Sequence, residues 1–404
     1  MTDAAASAPQ ERRPVLMTQP LTIVHSYKVY RPDLDGGIPF AMATLAKGTA
    51  GGLHHKILVA RLKGAGRSLT VDDVPVEAVT SFGNVASTPM APTYPLALLR
   101  AARDADVLVV HLPFPIADIT IPLLPRHAPL IVYWHADIVK QRTLRALLSP
   151  AFRNTLHRAD RIVVADQSTI DQSLFLPPFA DKCSIVPYGI DLSQWTTSSE
   201  AEQAAAAALR AKHPRLIVAI GRLVPYKGFS VLVQALKDID GAHVAIIGDG
   251  PLREELTGQA RELGVAGRLT LTGRLPVADV RAYMHAARVF AFPSVTKAEA
   301  FGIVQLEAMA TGLPVVNTEL GTAVSRIARD GREGFTVQPH DAQGLATALR
   351  RILDEPGLAE RLGEAGRQRA HLEYSETTYL DRMNAVYHEA IGQRRAAIGY
   401  PDRP

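Results

Sequence analysis

The sequence holds a single cysteine, Cys183, in 404 residues. No intrachain disulfide and no cysteine-built metal cluster can form, which is compatible with a reducing cytoplasm. Runs of five or more basic residues are also missing, and the formal net charge is only +4. That excludes a nucleic-acid signature and leaves a modest attraction to anionic ligands or an anionic membrane surface. No apolar stretch approaches the ~20 residues that span a bilayer. The opening Met1-Thr-Asp-Ala-Ala-Ala-Ser-Ala-Pro lacks the apolar core of a signal peptide. Residues 1–18 read as a disordered tail, and Met17 is an alternative to Met1 as the natural start. Finally, Gly248-Asp-Gly250 lacks the third glycine of the dinucleotide fingerprint and sits deep in the second half, which argues against a nicotinamide-dependent dehydrogenase.

What is present is ordinary for a soluble globular chain: 47% hydrophobic and 21% charged residues, in a length that implies two or three domains. Short Val/Ile/Leu-rich runs at 21–24, 56–60, 107–111, 130–134 and 161–165 read as parallel strands buried on both faces. Stretches 94–103 and 142–157 read as intervening helices, with Pro150 expected to break the second. A second series begins near residue 215. Its strands are expected at 216–220, 243–247, 269–271, 289–292 and 314–317, and its helices at 230–236, 252–263, 277–286, 301–310 and 342–353. This repeated alternation predicts two doubly wound α/β domains. The expected boundaries are 19–195 for the first domain and 196–376 for the second. A last helix in 377–404 carries an apolar stripe of Leu380, Met383, Val386, Tyr387 and Ala390 that must pack on one of the two.

Ligands of open α/β sheets bind at the carboxyl ends of strands, and three groups of candidates fall there. In Ile217-Val-Ala-Ile-Gly221-Arg222-Leu-Val-Pro-Tyr-Lys227-Gly228, a strand enters a loop with two cations and a glycine at each end. Arg offers a planar fork for phosphate and Lys a movable charge, so the pair suits a diphosphate leaving group; a solvated loop is the plainer alternative. In Glu299-Ala-Phe-Gly-Ile-Val-Gln-Leu-Glu307, one carboxylate precedes an expected helix and a second lies within it. Amides at that helix start suit phosphate oxygens, and the carboxylates suit sugar and ribose hydroxyls. A dipole-favouring charge and a surface glutamate would look the same. In the first half, Asp35-Gly36-Gly37-Ile38 follows the first strand, and His135 ends the run Tyr133-Trp-His135. A plain strand–helix turn and a structural histidine are the alternatives.

Arg222 with Lys227, the run Ile246-Ile-Gly-Asp249-Gly250-Pro-Leu, and Glu299-x7-Glu307 together resemble the retaining glycosyltransferases of family 4, over about residues 23–353. Val186-Pro-Tyr-Gly-Ile-Asp191 is similar to the family's sequence at the end of the first domain. The resemblance implies the GT-B fold, two Rossmann-like domains facing across a cleft, and transfer of a hexose from a nucleotide-diphosphate sugar. By that resemblance Arg222 and Lys227 bind the diphosphate, Glu307 takes the ribose, and Glu299 contacts sugar hydroxyls. The amides of Phe301, Gly302 and Ile303 hold phosphate and sugar. Gly36 and Gly37 approach the donor phosphate, His135 positions the donor sugar, and Asp249, Gly250 and Arg274 border the nucleotide.

The same resemblance implies retention of anomeric configuration, by front-face attack, since no residue is an obvious carboxylate nucleophile. Asp33-Leu34-Asp35 spells an acidic string used by another transferase fold to hold a metal; before Gly36-Gly37 it reads as turn chemistry, and neither metal nor cofactor is expected. The expected partners are a GDP-mannose or UDP-sugar donor and a glycan or lipid-linked acceptor, in surface polysaccharide synthesis. The basic and apolar mixture at 142–148 and 151–158 suggests peripheral contact with the inner face of the cell membrane; a helix packed on the sheet is the alternative. A GT-B sugar-nucleotide epimerase and a non-catalytic sugar-nucleotide-binding subunit are the remaining readings.

Overall fold

The computed structural model describes residues 20–34, 36–48, 52–85, 88–136 and 142–397, without the side chains of residues 142–145 and 147. The tail expected at 1–18, together with Asp35 and Asp137, lies outside the described residues.

The first half contributes β1 (Leu21–Ser26), β2 (Leu53–Ala60), β3 (Arg67–Val71), β4 (Val74–Val79), a small pair β5 (Asn84–Val85) and β6 (Thr88–Pro89), β7 (Val107–Leu112), β8 (Leu130–Trp134), β9 (Arg161–Val164) and β10 (Cys183–Ile185). Eight of these form one sheet in the order β10-β9-β8-β7-β1-β2-β4-β3. All its pairings are parallel except that of β3 with β4. The second half contributes β11 (Leu216–Ile220), β12 (His243–Ile247), β13 (Leu269–Gly273), β14 (Val289–Ala291), β15 (Val315–Thr318) and β16 (Gly334–Val337), in the order β13-β12-β11-β14-β15-β16, all parallel. Each sheet therefore has a point where the chain order reverses, between β1 and β7 in one and between β11 and β14 in the other. Loops after those four strands diverge and leave a crevice for a ligand.

The central strands β7 and β8 are buried along their whole length and β11 at all but its last residue, as their largely apolar runs require. The helix Glu376–Ala397 covers the first sheet. Its Tyr379, Met383, Val386 and Tyr387 share a core with Ile23, Val109 and Tyr133, and the Tyr379 and Tyr133 hydroxyls are hydrogen-bonded at 3.1 Å. The chain crosses between the halves twice, and the crossings are joined: Ile190 N donates to Tyr374 O, and Glu376 N to Ile190 O. Gly189 permits this, since a Cβ there would lie 2.5 Å from Ser375 O.

Two expectations are corrected. The helix Arg142–Arg158 runs through Pro150 instead of stopping there. Losing one amide bond is outweighed downstream, where Phe152 and Leu156 are buried and Thr155 donates to Asp118 at 2.7 Å. Those apolar residues face the core, so they are not part of an outward surface. The second correction is the helix expected at 301–310, which begins at Val304.

Candidate active site

The loop after β11 brings Arg222 and Lys227 to the crevice, and the loop after β14 brings Glu299. Lys227 turns on Gly228, whose φ is +66° and whose added Cβ would fall 1.9 Å from Pro293 O. Only glycine allows the two loops so close. The contact carries Lys227 Nζ to within 2.5 Å of Glu299 Oε2, with both side chains largely buried. Ser294 Oγ donates to the same oxygen at 3.3 Å, and the ammonium lies 5.1 Å from the centre of the Phe292 ring. The pair expected to act on different parts of a ligand is thus paired internally.

Arg222, by contrast, is exposed, and no hydrogen bond or ion pair engages its side chain among the described residues. Glu307 is in the same position. Its carboxylate is half-buried on the helix Val304–Ala310 without a side-chain partner among the described residues, and burial pushes it up to about 7. A desolvated carboxylate with open acceptor positions suits ligand hydroxyls.

Phe301, Gly302 and Ile303 form a loop before that helix, not its first turn. Gly302 has φ +84°, and a Cβ would lie 2.7 Å from the Phe292 ring. A buried network supports the loop: Gln305 Nε2 donates to Phe301 O, and Asn317 Nδ2 donates to Gln305 Oε1 at 3.0 Å. The amides of Phe301, Gly302 and Ile303 have no acceptor among the described residues. Ile303 reaches across to the first domain, where a methyl on Gly37 would come 4.0 Å from its Cδ1. Gly36 and Gly37, at the start of the helix Gly37–Lys47, thereby face the acidic segment.

The loops after β11 and β12 press together. Leu223 N donates to Asp249 O, and Leu252 N donates to Leu223 O. A Cβ on Gly250 would stand 2.5 Å from Leu223 O, so its glycine serves this backbone contact. Asp249 caps Gly250 N and pairs with Arg253, while Arg274 lies exposed just after β13. Asp33 is held by Arg61 at 2.6 Å and Arg67 at 2.9 Å, which gives it a hairpin-fixing role.

His135 follows β8 and is buried. Both ring nitrogens are engaged: Nδ1 with Tyr188 Oη at 2.6 Å and Nε2 with His111 Nδ1 at 2.8 Å. A direct ring contact to a sugar requires Tyr188 to give way. The Tyr188 ring in turn meets Phe301 edge to face, with centroids 4.8 Å apart. Tyr188, Ser294, Gln305 and Asn317 are not site candidates on sequence grounds; isolated polar residues near strand ends or within a helix carry no signal until the loops are placed.

Comparison with known proteins bears on the family and the fold. The family described as Glycosyltransferase Family 4 matches residues 36–194, and Glycosyl transferases group 1 matches residues 201–369. The chain is 29% identical over 361 residues to D-rhamnosyltransferase WbpZ of Pseudomonas aeruginosa, covering 85% of this chain and 89% of that protein. To O-antigen chain mannosyltransferase C of Escherichia coli it is 28% identical over 374 residues, covering 91% and 97%. Among solved structures, HepE of Anabaena in complex with UDP superposes with a TM-score of 0.75 at 19% identity, covering 91% of this chain and 100% of that chain. Sucrose-phosphate synthase of Thermosynechococcus elongatus gives 0.72 at 20% identity, covering 92% and 100%. Fold and sequence similarity together define a glycosyltransferase of the GT-B class. Within that class, the chain belongs to the group 1 glycosyltransferases of family 4.

Proposed function

We propose that this enzyme transfers a mannose-type hexose from GDP-mannose, or a related nucleotide-diphosphate sugar, to a hydroxyl of a growing surface glycan. The observation that carries this reading is the placement, on the segments that follow β11 and β14 at the reversal point, of an unpaired Arg222 side chain, an unpaired Glu307 carboxylate and the open amides of Phe301, Gly302 and Ile303. Guanidinium and amides suit a diphosphate, and the carboxylate suits ribose hydroxyls. Three similar proteins are a D-rhamnosyltransferase, an O-antigen mannosyltransferase and a GDP-mannose-dependent phosphatidylinositol monomannoside mannosyltransferase of Mycolicibacterium smegmatis. Their common sugar configuration favours GDP-mannose over a UDP-sugar; the UDP bound to HepE is the observation that keeps UDP donors in view.

In the proposed reaction the second domain, residues 196–376, holds the donor, and the first, residues 19–195, presents the acceptor over Gly36 and Gly37. Arg222 and Lys227 stabilise the departing diphosphate as the anomeric C–O bond breaks. The acceptor oxygen enters from the same face, and its proton passes to a phosphate oxygen, so configuration is retained. Glu299, released in part from Lys227 when phosphate arrives, accepts hydrogen bonds from sugar hydroxyls. Asp249 and Arg274 border the base. Charge neutralisation by two cations makes a metal unnecessary in this scheme. A lipid-linked acceptor would place the enzyme at the inner face of the cell membrane.

Incubating the enzyme with GDP-mannose, UDP-glucose or ADP-glucose and an undecaprenyl-linked or synthetic glycan acceptor tests the reading. Transfer from GDP-mannose giving an α-linked product, unaffected by excess chelator, is expected. Transfer confined to UDP-sugars would replace the donor assignment. Donor epimerised without acceptor would establish the epimerase, and nucleotide binding without turnover the silent subunit. Flotation with anionic vesicles tests membrane contact.

A further inference from the structure

Four buried histidines stand on four neighbouring strands of the first sheet: His55 on β2, His25 on β1, His111 on β7 and His135 just after β8. The parallel register staggers them. Ile23 pairs with His55, His25 with Val109, and His111 with Tyr133. Each histidine is thus two residues further along its strand than the partner of the one before. A step of two keeps every ring on the same face. The result is a diagonal ladder that climbs towards the cleft end of the sheet.

The rings are joined nitrogen to nitrogen. His55 Nδ1 meets His25 Nε2 at 2.9 Å, His25 Nδ1 meets His111 Nε2 at 3.1 Å, and His111 Nδ1 meets His135 Nε2 at 2.8 Å. At the far end His55 Nε2 lies 3.0 Å from Gly48 O, and at the cleft end His135 Nδ1 lies 2.6 Å from Tyr188 Oη.

A carbonyl can only accept, so His55 Nε2 carries hydrogen and its Nδ1 accepts. The same assignment then passes along the row. Every ring donates from Nε2 and accepts at Nδ1, and the row ends with Tyr188 donating to His135. The groups facing the rings are neutral aromatics: Tyr133 stacks on His111 and His135, Tyr27 lies edge-on to both, and Tyr387 tilts against His55. No carboxylate bonds any of the four rings among the described residues. Burial holds all four well below the ordinary imidazole value, His135 at about 3 and His55 at about 4.

We propose that His25, His55 and His111 are positioning residues for sugar transfer: they set His135 as the neutral Nε2–H tautomer, whose Nδ1 acceptor holds the Tyr188 hydroxyl and thereby seats the Tyr188 ring against Phe301 in the donor loop. The row begins at Gly48, which closes the helix that Gly37 opens. It therefore couples the far end of the glycine-loop helix to the loop that Ile303 presents to Gly37. A ligand group that takes the place of Tyr188 on His135 must itself donate, as a sugar hydroxyl does. The link to transfer rests on the proposed donor role of the Phe301 loop; the tautomer order does not.

The order is read by long-range proton–nitrogen correlation of the full-length protein labelled in its histidines. Four rings with Nε2–H shifts, unchanged from pH 7.5 to 5.5 and assigned with single His→Gln variants, are expected. An Nδ1–H tautomer in any of them, or titration near pH 6.5, overturns the ladder. Function is read with His111→Phe, which keeps ring bulk but neither bond, and His111→Gln, whose amide offers one acceptor and one donor. His111→Phe is expected to lower kcat tenfold or more with the nucleotide-diphosphate Kd within threefold, and His111→Gln to recover most of kcat. Unchanged kcat in His111→Phe overturns the positioning role. Should His111→Phe fail to fold, the wild-type spectrum and the kcat of His25→Gln against His25→Phe decide the same question. Phe301→Ala with wild-type kcat and KM, alongside an intact ladder spectrum, would count against the donor-loop reading alone.

Discussion

Lys227 and Glu299, 72 residues apart in the chain, form an ion pair at 2.5 Å across the crevice between the loops after β11 and β14. With both groups mostly removed from water, each is the other's main compensation. Lys227→Ala leaves a carboxylate without its cation, a change that costs about 3–5 kcal/mol for a buried pair. Urea unfolding is expected to register a loss approaching that range. Lys227→Ala/Glu299→Gln should recover most of the stability and none of the activity. Recovery of activity in the double variant would show that the pair is structural.

The Arg222 side chain makes no hydrogen bond or ion pair among the described residues, so its removal separates ligand chemistry from folding. Arg222→Ala is expected to leave the melting temperature within about 1 °C, an ordinary surface effect. Its kcat/KM should fall about a hundred- to a thousandfold, the usual cost of one group facing a developing charge. Arg222→Lys should recover little, because a point charge cannot match the planar fork.

Glu307 predicts a pH dependence. Its folded pKa, about 7, lies above the ordinary carboxylate value because of burial. The native state therefore binds its proton more tightly than the unfolded chain, and this contribution to stability is lost as pH rises from about 4.5 through 7. Nucleotide affinity should move the other way, improving as the carboxylate ionises. Glu307→Gln is expected to raise the melting temperature at pH 8, weaken nucleoside-diphosphate binding about tenfold, and flatten the pH profile of binding. Calorimetric titration at pH 6 and pH 8 checks all but the first.

The buried histidines carry the opposite sign. His55, near 4, and His135, near 3, stay neutral in the fold, while the unfolded chain takes up protons below about 6.5. Stability is therefore full above that value and falls as pH drops below it. Each such histidine contributes roughly 1.4 kcal/mol per pH unit. Unfolding free energy measured at pH 7 and pH 5 should differ by several kcal/mol in favour of pH 7. A flat profile would mean that the rings are charged in the fold or that opposing groups such as Asp118 cancel them.

Gly302 is predicted to resist substitution by the smallest side chain. At φ +84° with the Phe292 ring 2.7 Å from an added Cβ, alanine is strained and obstructed at once. Gly302→Ala should lower kcat more than tenfold while Gly267→Ala, with open space around it, changes nothing. Matching losses in both variants would remove the local explanation.

Elements were legible where one kind of interaction dominates a short stretch. The runs at 216–220 and 243–247 match β11 and β12 because a strand buried on both faces is apolar at nearly every position, His243 at the start of β12 being the exception. The edge hairpin β3–β4 was not read, since its half-exposed residues mix polar and apolar types. The helix start at Val304 was misplaced because the apolar pattern continues back through Ile303 and Phe301, while Gly302 needs a conformation no helix contains. Pro150 misled in the other direction: its local penalty was visible, and the burial of Phe152 and Leu156 that outweighs it was not.

By itself the sequence determined two alternating α/β units and the residue types that gather at their strand ends, because periodicity and glycine or charge placement are local properties. Only the tertiary structure decided which of those residues meet. Strand order put the Lys227 and Glu299 loops side by side and left Arg222 and Glu307 free. Parallel register brought His25, His55, His111 and His135 into one hydrogen-bonded row although 30, 86 and 24 residues separate its successive contacts. Distances across a sheet depend on which strands pair and with what stagger, and that is settled by the packing of the whole core.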